Sequence, residues 1–264
     1  MIPELKKFWT NYNPYKLHPE DENYLGQNKQ KFCLEITIEE LRKKYGSNLK
    51  SDDTRKKFIN DKDNKNKILN NLFVVPFFGD VENAKIYILT GNPGFHTGDY
   101  VDEIEDKKYI ELLKANLSLS SKTFICLEAE AINTGAYKYW SSSGRISKIS
   151  KYLSNFNKKQ FSKNYEFVKK SICIIESIAY HSCNKPNDEL FNLPSSKLTK
   201  RLVNEYIQDR INENKAMCFV WRGVSFWNMT IHENLLLRKP QEAQLSMFKN
   251  SEAERMASFL NKNS

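Results

Sequence analysis

The stretch that most constrains the fold is residues 84–95, AKIYILTGNPGF. It contains a short apolar run, Ile86 to Leu89, which is rich in β-branched side chains and has no polar face. Such a run is typical of a central strand of a parallel sheet, because that strand is buried on both sides. The turn sequence GNPG (91–94) then stops the strand. Ligands of open α/β sheets bind at the carboxyl ends of strands, so Asn92 lies where a site is expected.

Two more apolar runs follow, separated from the first and from each other by helical patterns. They are residues 171–179 (SICIIESIA) and residues 216–221 (AMCFVW). Strands joined by helices predict right-handed crossovers and a mostly parallel sheet. We therefore predict an α/β fold, a three-layer α/β/α domain with a central, mostly parallel four-stranded sheet. The predicted domain covers residues 72–264, and residues 1–71 are predicted to be a helical and connective extension.

Polar residues punctuate the ends of these later strands as well. Glu176 lies inside an apolar run, where a carboxylate is costly unless it is hydrogen-bonded or protonated. His181 follows that strand, and Arg222 follows the next one. A single histidine or arginine is more often structural than functional, but the carboxyl ends of parallel strands meet at one edge. We therefore expect Asn92, Glu176, His181 and Arg222 to converge there.

The composition limits which partners and which cellular compartment are expected for this protein. The chain has 264 residues, of which 40% are hydrophobic, and its formal net charge is +9. A basic surplus favours a polyanionic partner, although much of it is lysine scattered among asparagine, which is equally compatible with a solvated surface. The five cysteines form no CxxC pair, and no apolar run approaches the length of a membrane span. With no apolar secretory core near the first residues, we expect a reduced, cytoplasmic protein without a metal centre and without a membrane.

The segment 135–145 (GAYKYWSSSGR) combines aromatic rings, hydroxyl groups and basic residues. Loops that stack on bases have this composition, and so do loops that simply cover a core. As a DNA-binding segment it would use Lys138, Tyr139, Trp140 and Arg145. Arg238, close to the chain's C-terminal end, completes the predicted set of DNA contacts.

At this point a family resemblance is visible. The order GNPGF, SIAYHS, FVWRGVSFW and LLLRKPQEAQLS resembles the uracil-DNA glycosylase superfamily, and most closely its mismatch-type branch with a Gly-x-Asn-Pro-Gly turn. The likeness covers residues 73–260. It implies a monofunctional DNA glycosylase, which flips a base out of DNA and hydrolyses its N-glycosidic bond without a cofactor or a metal, in DNA repair or in defence against phages.

The resemblance assigns roles to individual positions. Asn92 falls where the family orients the hydrolytic water, and Phe95 falls near the aromatic that stacks on the base. Glu176 falls where the base edge is read, and Lys239 begins the second motif, which stabilises the leaving base. With His181 and Arg222, these would form the catalytic set. The remaining expected contacts to the base are Gly91, Pro93, Gly94, Tyr180 and Ser182.

Several positions depart from the family pattern. Lys239-Pro240-Gln241 replaces a motif that normally begins with His or Asn and has Ser after Pro. His181 or Arg222 would then supply the missing charge stabilisation, or the activity is weak or lost. Glu176 replaces an amide, which favours an amino-bearing base edge such as that of cytosine. Gly94 replaces a tyrosine that blocks substituents at C5. These changes point away from uracil and toward a cytosine-type base with a C5 group, or toward a damaged base.

Two other functions remain open from the sequence. A non-catalytic module on the same fold would bind a nucleotide or nucleic acid, and the altered second motif favours it. An enzyme acting on a free nucleotide or sugar phosphate would use Arg222 and His181 to hold phosphate. A basic face beside the site would favour the glycosylase or the binding module, whereas an enclosed pocket without such a face would favour the small-molecule enzyme.

Overall fold

The computed structural model of this chain describes residues 1–242, 245 and 247–264. Its centre is a five-stranded sheet, and a separate two-stranded sheet lies in the N-terminal part. Along the chain the strands are β1 (Cys33–Leu34), β2 (Ile68–Leu69), β3 (Phe77–Phe78), β4 (Ile86–Thr90), β5 (Ile172–Glu176), β6 (Met217–Val220) and β7 (Leu235–Leu237).

The central sheet has the order β3-β5-β4-β6-β7. Four of its strands, β5, β4, β6 and β7, are mutually parallel, and β3 pairs antiparallel with β5 at the edge. The α/β class and the mostly parallel sheet are therefore confirmed, whereas the predicted number of four strands is wrong. Pro76 precedes β3 and provides no backbone N–H, which suits a short strand at a sheet edge. Every residue of β4 is buried, as its unbroken apolar run predicts.

Helices surround the sheet. Among the described residues the α-helices are α1 (Ile2–Trp9), α2 (Pro19–Leu25), α3 (Lys29–Phe32), α4 (Ile38–Tyr45), α5 (Asp52–Asn60), α6 (Asp99–Ile104), α7 (Lys107–Leu117), α8 (Gly135–Ser141), α9 (Ile146–Asn157), α10 (Phe161–Ser171), α11 (Pro194–Arg201), α12 (Gln208–Asn212), α13 (Val224–Trp227) and α14 (Asn250–Lys262). A π-helical segment, Leu202–Ile207, joins α11 to α12. Short 3-10 helices are Gly26–Asn28, Lys62–Asn64, Ile125–Leu127, Ala129–Ala131, Asp188–Asn192 and Pro240–Glu242. None of the helices in the described part of the chain is long and apolar enough to cross a membrane.

The segment 135–145, expected to be a loop, begins with a helix, α8. Thr134 caps it by accepting a hydrogen bond from the Tyr137 amide at 3.1 Å. The Asp102 carboxylate accepts another from the Gly135 amide at 2.8 Å. These two acceptors satisfy amides that the first helical turn leaves unpaired, and one of them comes from a distant segment that sequence periodicity does not reveal.

The N-terminal residues contribute to two hydrophobic cores. Leu5, Trp9 and Leu25 join the main core around the central sheet. A second, smaller core forms around Leu41, Phe58 and neighbouring apolar residues of the same segment, and it also takes in two residues that follow β4, Phe95 and Tyr100. The first 71 residues therefore pack directly behind the turn that follows β4. The division of the chain at residue 71 stays a prediction.

Candidate functional site at the carboxyl edge of the sheet

The polar residues expected to converge do follow neighbouring parallel strands. Thr90 at the end of β4 is paired in register with Glu176 at the end of β5, and Leu89 is paired with Val220 near the end of β6. Val220 is in turn paired with Leu237, the last residue of β7. The next residues of all four strands therefore lie along one edge of the sheet. This edge, with Asn92, Glu176, Arg222 and Lys239, is called the carboxyl edge below.

Asn92 is held in one orientation. Its Nδ2 donates hydrogen bonds to the Pro93 carbonyl at 2.7 Å and to the Ser182 hydroxyl at 2.8 Å. The Ser182 hydroxyl donates onward to the Asn184 carbonyl. Because a carbonyl can only accept, the nitrogen of the amide must face Pro93, and this fixes Oδ1 on the other side. Among the described residues none donates to Oδ1, so this oxygen is available to accept a hydrogen bond from water.

Glu176 is a buried carboxyl group, with 4% of the residue exposed. Its Oε2 is hydrogen-bonded to the Thr90 hydroxyl. Burial raises the pKa of Glu176 to about 7, although the Thr90 hydrogen bond and the charges of Arg222 and His181 act in the opposite direction. Arg222 and His181 therefore lie close enough to Glu176 for their charges to affect its pKa.

His181 uses both ring nitrogens within the protein. Nδ1 lies 2.9 Å from the Gly94 carbonyl, and Nε2 lies 3.2 Å from the Glu103 carboxylate, as an ion pair without hydrogen-bond alignment. Burial by itself lowers the pKa of His181, but the negative charge of Glu103, with smaller contributions from Asp99 and the Gly94 carbonyl, raises it to about 9. His181 is therefore an internal cation near neutral pH. Both of its ring nitrogens lie against groups of the protein, the Gly94 carbonyl and the Glu103 carboxylate.

The turn after β4 leaves open space. A Cβ atom placed on Gly91 or on Gly94 would meet no other heavy atom within 4 Å. Neither glycine has a positive φ angle, so backbone strain does not require glycine here. Pro93 is buried between them, and its carbonyl accepts the Ser182 amide at 3.3 Å. The missing side chains of Gly91 and Gly94 thus leave room beside Asn92.

Two exposed cations follow the neighbouring strands β6 and β7. Arg222 lies in the turn after β6, where its amide donates to the Leu89 carbonyl at 3.3 Å. Lys239 follows β7 and is also exposed, and its positive charge acts on Glu242. Both residues therefore follow strands whose carboxyl ends lie at this edge.

Two expected base contacts lie elsewhere. Phe95 packs inside the second core, with its ring 4.9 Å from that of Phe58 and 5.8 Å from that of Tyr100. Tyr180 is buried, and its hydroxyl donates to Asp21 at 2.6 Å. Both aromatic side chains pack against other parts of the protein, including the N-terminal segment, so neither can touch a base.

The predicted DNA contacts separate into surface and interior residues. Lys138 is exposed, and 40% of Tyr139 is exposed. The Arg145 guanidinium lies 3.5 Å from the centre of the Tyr139 ring and also donates to the Tyr139 carbonyl, so it serves as a support for that ring. Trp140, in contrast, is buried between Phe124 and Trp221, which excludes it as a stacking surface.

Arg238 is the clearest correction, since only 2% of it is exposed. Its Nε donates to Glu252 at 3.1 Å, and its terminal nitrogens donate to the Leu245 carbonyl at 3.0 Å and the Met247 carbonyl at 3.2 Å. An arginine held in this way cannot reach a phosphate. It instead holds the backbone carbonyls of Leu245 and Met247 and the carboxylate of Glu252.

Sequence reasoning missed three residues that build the site. Thr90 holds Glu176, Glu103 holds His181, and Asp99 accepts a hydrogen bond from the His96 amide at 2.6 Å. Burial and the charge of Glu103 raise the pKa of Asp99 to about 7. Asp99 and Glu103 lie on helix α6, and the sequence gives no signal that Glu103 is buried.

In the described residues no group of three or more His, Cys, Asp or Glu side chains is arranged to hold a metal ion. No protein-family model, no curated protein and no solved structure matches this chain.

Proposed function

We propose that this chain is a monofunctional DNA glycosylase, a distant member of the uracil-DNA glycosylase superfamily. One observation carries the proposal: Asn92 stands at the carboxyl edge with its nitrogen anchored and its Oδ1 available, beside space left by Gly91 and Gly94. This arrangement suits a residue that orients water without taking its proton. If the residue were a carboxylate acting as a general base, its second oxygen would not need to be held by hydrogen bonds as the Asn92 nitrogen is.

The proposed reaction is hydrolysis of the N-glycosidic bond of a flipped nucleotide. The bond from C1′ to the base nitrogen breaks, and its electron pair leaves with the base. Water held by Asn92 Oδ1 then forms the new bond to C1′ and releases its proton to solvent, while the base takes up a proton. The products are a free base and an abasic site. Unstacking the nucleotide costs a few kcal/mol, which contacts in the site must offset.

Positive charge at the carboxyl edge supports departure of the base as an anion. Arg222 and Lys239 supply exposed cations on one side, and protonated His181 supplies a buried one. Charges that are already in place before the reaction stabilise a developing anion with little rearrangement. In this proposal Arg222 and Lys239 replace the donor of the altered second motif, and His181 contributes through its field.

The residues at the base edge favour an amino-bearing base. Glu176 presents carboxyl oxygen where an amide would offer both a donor and an acceptor. Gly94 leaves space where a tyrosine would exclude substituents at C5. We therefore propose a cytosine-type base that carries a C5 group as the substrate. Such chemistry fits repair of modified bases or defence against phages with modified DNA.

Exposed cations near the loop after β4, which stand among the carboxylates of Asp52 and Asp102, support DNA over a small substrate. Lys138 on α8 and Arg55 on α5 are both exposed, and the positive charges of both act on His96 in the loop after β4. Lys50 lies in the same region, 2.7 Å from the Asp102 carboxylate. Phosphate contacts from such a face would make binding strongly dependent on salt.

A non-catalytic nucleic-acid-binding module is the second candidate. The observation in its favour is the second motif, where Lys239 and Gln241 stand in place of the usual donor and hydroxyl residues. Such a module would keep the basic face and the open edge but would leave the glycosidic bond intact. The two candidates differ in one measurable product, the abasic site.

The test uses purified full-length chain and a panel of duplex and single-stranded DNAs. The panel contains uracil, mismatched, deaminated and C5-modified cytosine substrates, and strand breakage in hot alkali reports abasic sites. Breakage of a C5-modified cytosine substrate, abolished in Asn92→Ala, supports the glycosylase. Salt-sensitive binding that Asn92→Ala retains, with no breakage of any substrate, replaces it with the binding module. Asn263→Ala serves as the matched control, because Asn263 Nδ2 also donates to a backbone carbonyl, that of Phe259 at 2.9 Å, but beside Met217 at the opposite edge of the sheet.

A further inference from the structure

The turn that carries Asn92 is held by the segment that follows β5. Donors from this segment contact the backbone carbonyls of the turn. They include the Ile178 amide on Gly91 at 2.9 Å, the Ser182 amide on Pro93 at 3.3 Å and His181 Nδ1 on Gly94 at 2.9 Å. Of these three donors only the imidazole of His181 can gain or lose a proton in the range in which an enzyme works. The contact to Gly94 is therefore the one that depends on pH.

The Gly94 carbonyl fixes where His181 carries its hydrogens. A carbonyl can only accept, so Nδ1 must carry one. The other ring nitrogen, Nε2, lies 3.2 Å from Glu103 Oε1, and both side chains are buried. Because a bare nitrogen and an ionised carboxylate would repel each other at this distance, a second hydrogen lies between them. It is on Nε2 if Glu103 is ionised and on Oε1 if Glu103 is neutral, and in both cases Nδ1 keeps its own hydrogen for Gly94.

Loss of the hydrogen between Nε2 and Oε1 changes this arrangement. The ring of His181 then has one hydrogen for two acceptors, the Gly94 carbonyl and the Glu103 carboxylate. A charged acceptor forms the stronger hydrogen bond, so the hydrogen moves to Nε2 and the Gly94 carbonyl loses its donor. Gly94 directly follows Pro93, whose carbonyl accepts a hydrogen bond from Asn92 Nδ2. The loss therefore occurs beside the residue that orients the water.

We propose that Glu103 is a positioning residue for the proposed reaction, because its interaction with His181 keeps the Nδ1 hydrogen on the Gly94 carbonyl and so fixes the turn that carries Asn92. This inference rests on the proposed function and adds to it a residue that acts without touching the substrate. Glu103 is itself held in place. Its Oε2 accepts the Phe73 amide at 3.2 Å, and its backbone carbonyl accepts the Tyr15 hydroxyl at 2.8 Å.

Two further acids interact with the charge of His181. Asp99 lies on α6 with Glu103, and Glu176 lies at the end of β5. Burial raises the pKa of each to about 7. The N-terminal segment contacts His181 through the Leu69 amide, which does not titrate. Since the negative charge of Glu103 raises the pKa of His181 to about 9 against the effect of burial, both other acids are ionised before His181 loses its proton. The release of Gly94 is therefore a separate step on the alkaline side.

The experiment uses the difference between a carboxylate and an amide at position 103. Glu103→Gln keeps an oxygen for the Phe73 amide, which can only donate, and so turns its NH2 group toward His181 Nε2. Because that group can also only donate, the single hydrogen of a neutral ring stays on Nδ1 at high pH. Glu128→Gln makes the same exchange at an ion pair with Lys169, 3.1 Å apart, and serves as the matched control.

Turnover is measured with saturating substrate DNA at pH 8 and pH 10. At pH 10 about a tenth of wild-type molecules keep the hydrogen between Nε2 and Oε1, so we expect turnover to fall about five- to tenfold. Glu128→Gln should show the same fall, whereas the fall in Glu103→Gln should be smaller by about threefold or more. Glu103→Leu, which cannot hold the ring, should lower turnover about tenfold already at pH 8 with little change in KM. Equal falls in wild type and Glu103→Gln would overturn the proposal.

Nitrogen NMR of histidine-labelled protein separates this proposal from the proposed reaction, because it needs no turnover. The chain has four histidines, and the signals absent from His181→Asn identify those of His181. We expect a hydrogen on Nδ1 at pH 7 in wild type and in Glu103→Gln. At pH 10 it should be on Nε2 in wild type and still on Nδ1 in Glu103→Gln. A hydrogen that stays on Nδ1 in wild type at pH 10 would refute the role of Glu103. The expected spectra from a protein that cleaves no DNA would refute only the glycosylase reaction.

Discussion

At the scale of single residues, the site depends on which atoms are already occupied. Asn92 and His181 both have their nitrogens bound within the protein, whereas Asn92 Oδ1 accepts nothing from the described residues. The sequence indicated that Asn92 and Glu176 lie at the ends of strands, because each stands at the end of a recognisable apolar run, and strands β4 and β5 do end there. It could not indicate that His181 pairs with Glu103, because the two residues are far apart in the chain and only the fold brings them together.

The anchor of Asn92 can be tested at Ser182. Ser182→Ala removes one of the two acceptors that hold the Asn92 amide and leaves the Pro93 carbonyl, so Asn92 is held less firmly and we expect the turnover number to fall about tenfold with little change in KM. Steady-state kinetics on the substrate identified in the panel measures both constants. Ser118→Ala removes a hydroxyl that likewise donates to a backbone carbonyl, at 3.0 Å, but at the end of α7, and should leave both unchanged. Equal effects of the two variants would contradict the role of Ser182.

The buried carboxyl group of Glu176 predicts a pH-dependent effect on stability. Its pKa is about 7 in the folded protein and near 4.5 in an unfolded chain. The folded state therefore binds the proton more tightly, and stability is lost as the pH rises from about 4.5 through 7. Glu176→Gln removes this loss and should raise the free energy of unfolding by about 1–3 kcal/mol at pH 8.5, with little effect at pH 4. Urea unfolding at both pH values measures it. A variant that is destabilised equally at the two pH values would contradict the burial of a titrating group.

At the scale of elements, the parallel strands were predictable and their environment was not. The apolar runs that predicted β4, β5 and β6 reflect burial on both faces, which is a local property of the sequence. The segment expected to be a basic, aromatic loop instead forms helix α8, which is capped by Thr134 and by Asp102 from a distant helix. Local sequence patterns show the periodicity of a helix, but they cannot show a capping residue that comes from a distant part of the chain.

Helix α8 carries the prediction about DNA binding. Lys138 lies on its exposed side, near the loop that follows β4. Lys138→Glu removes one phosphate contact, so the slope of log K against log salt should fall by about 1, and affinity should drop for every sequence alike. Fluorescence anisotropy at several salt concentrations gives the slope. Lys262→Glu makes the same charge change beside Met217, at the opposite edge of the sheet, and should leave the slope unchanged. A larger effect from Lys262→Glu would place the DNA on the other side of the molecule.

At the scale of the whole molecule, the N-terminal 71 residues have a role that the sequence did not disclose. They build the second core, which encloses Phe95 from the turn after β4. Leu69 also pairs with His181, through its amide and the His181 carbonyl at 2.8 Å. The segment thus supports the site from behind. Its apolar residues were visible in the sequence, but their partners lie beyond the reach of local patterns.

This support can be measured at Phe58. The side chain is fully buried and contacts Phe95, so Phe58→Ala should lower the free energy of unfolding by about 3–5 kcal/mol through lost burial and a new cavity. We expect activity to fall as well, because the turn that carries Asn92 loses the packing of Phe95 against Phe58. Phe161→Ala, at a ring that is 49% exposed, should cost less than about 1 kcal/mol. Urea unfolding compares the two, and similar losses would show that the second core contributes little.

The most direct test of the central claim is detection of a free base. A C5-modified cytosine DNA is incubated with wild type and with Asn92→Ala, and the small-molecule fraction is analysed by liquid chromatography and mass spectrometry. The account predicts intact free base from wild type, none from Asn92→Ala, and an abasic strand of otherwise full length. Nucleotides in place of the base, or no release from any DNA of the panel, would contradict hydrolysis of the N-glycosidic bond at the carboxyl edge.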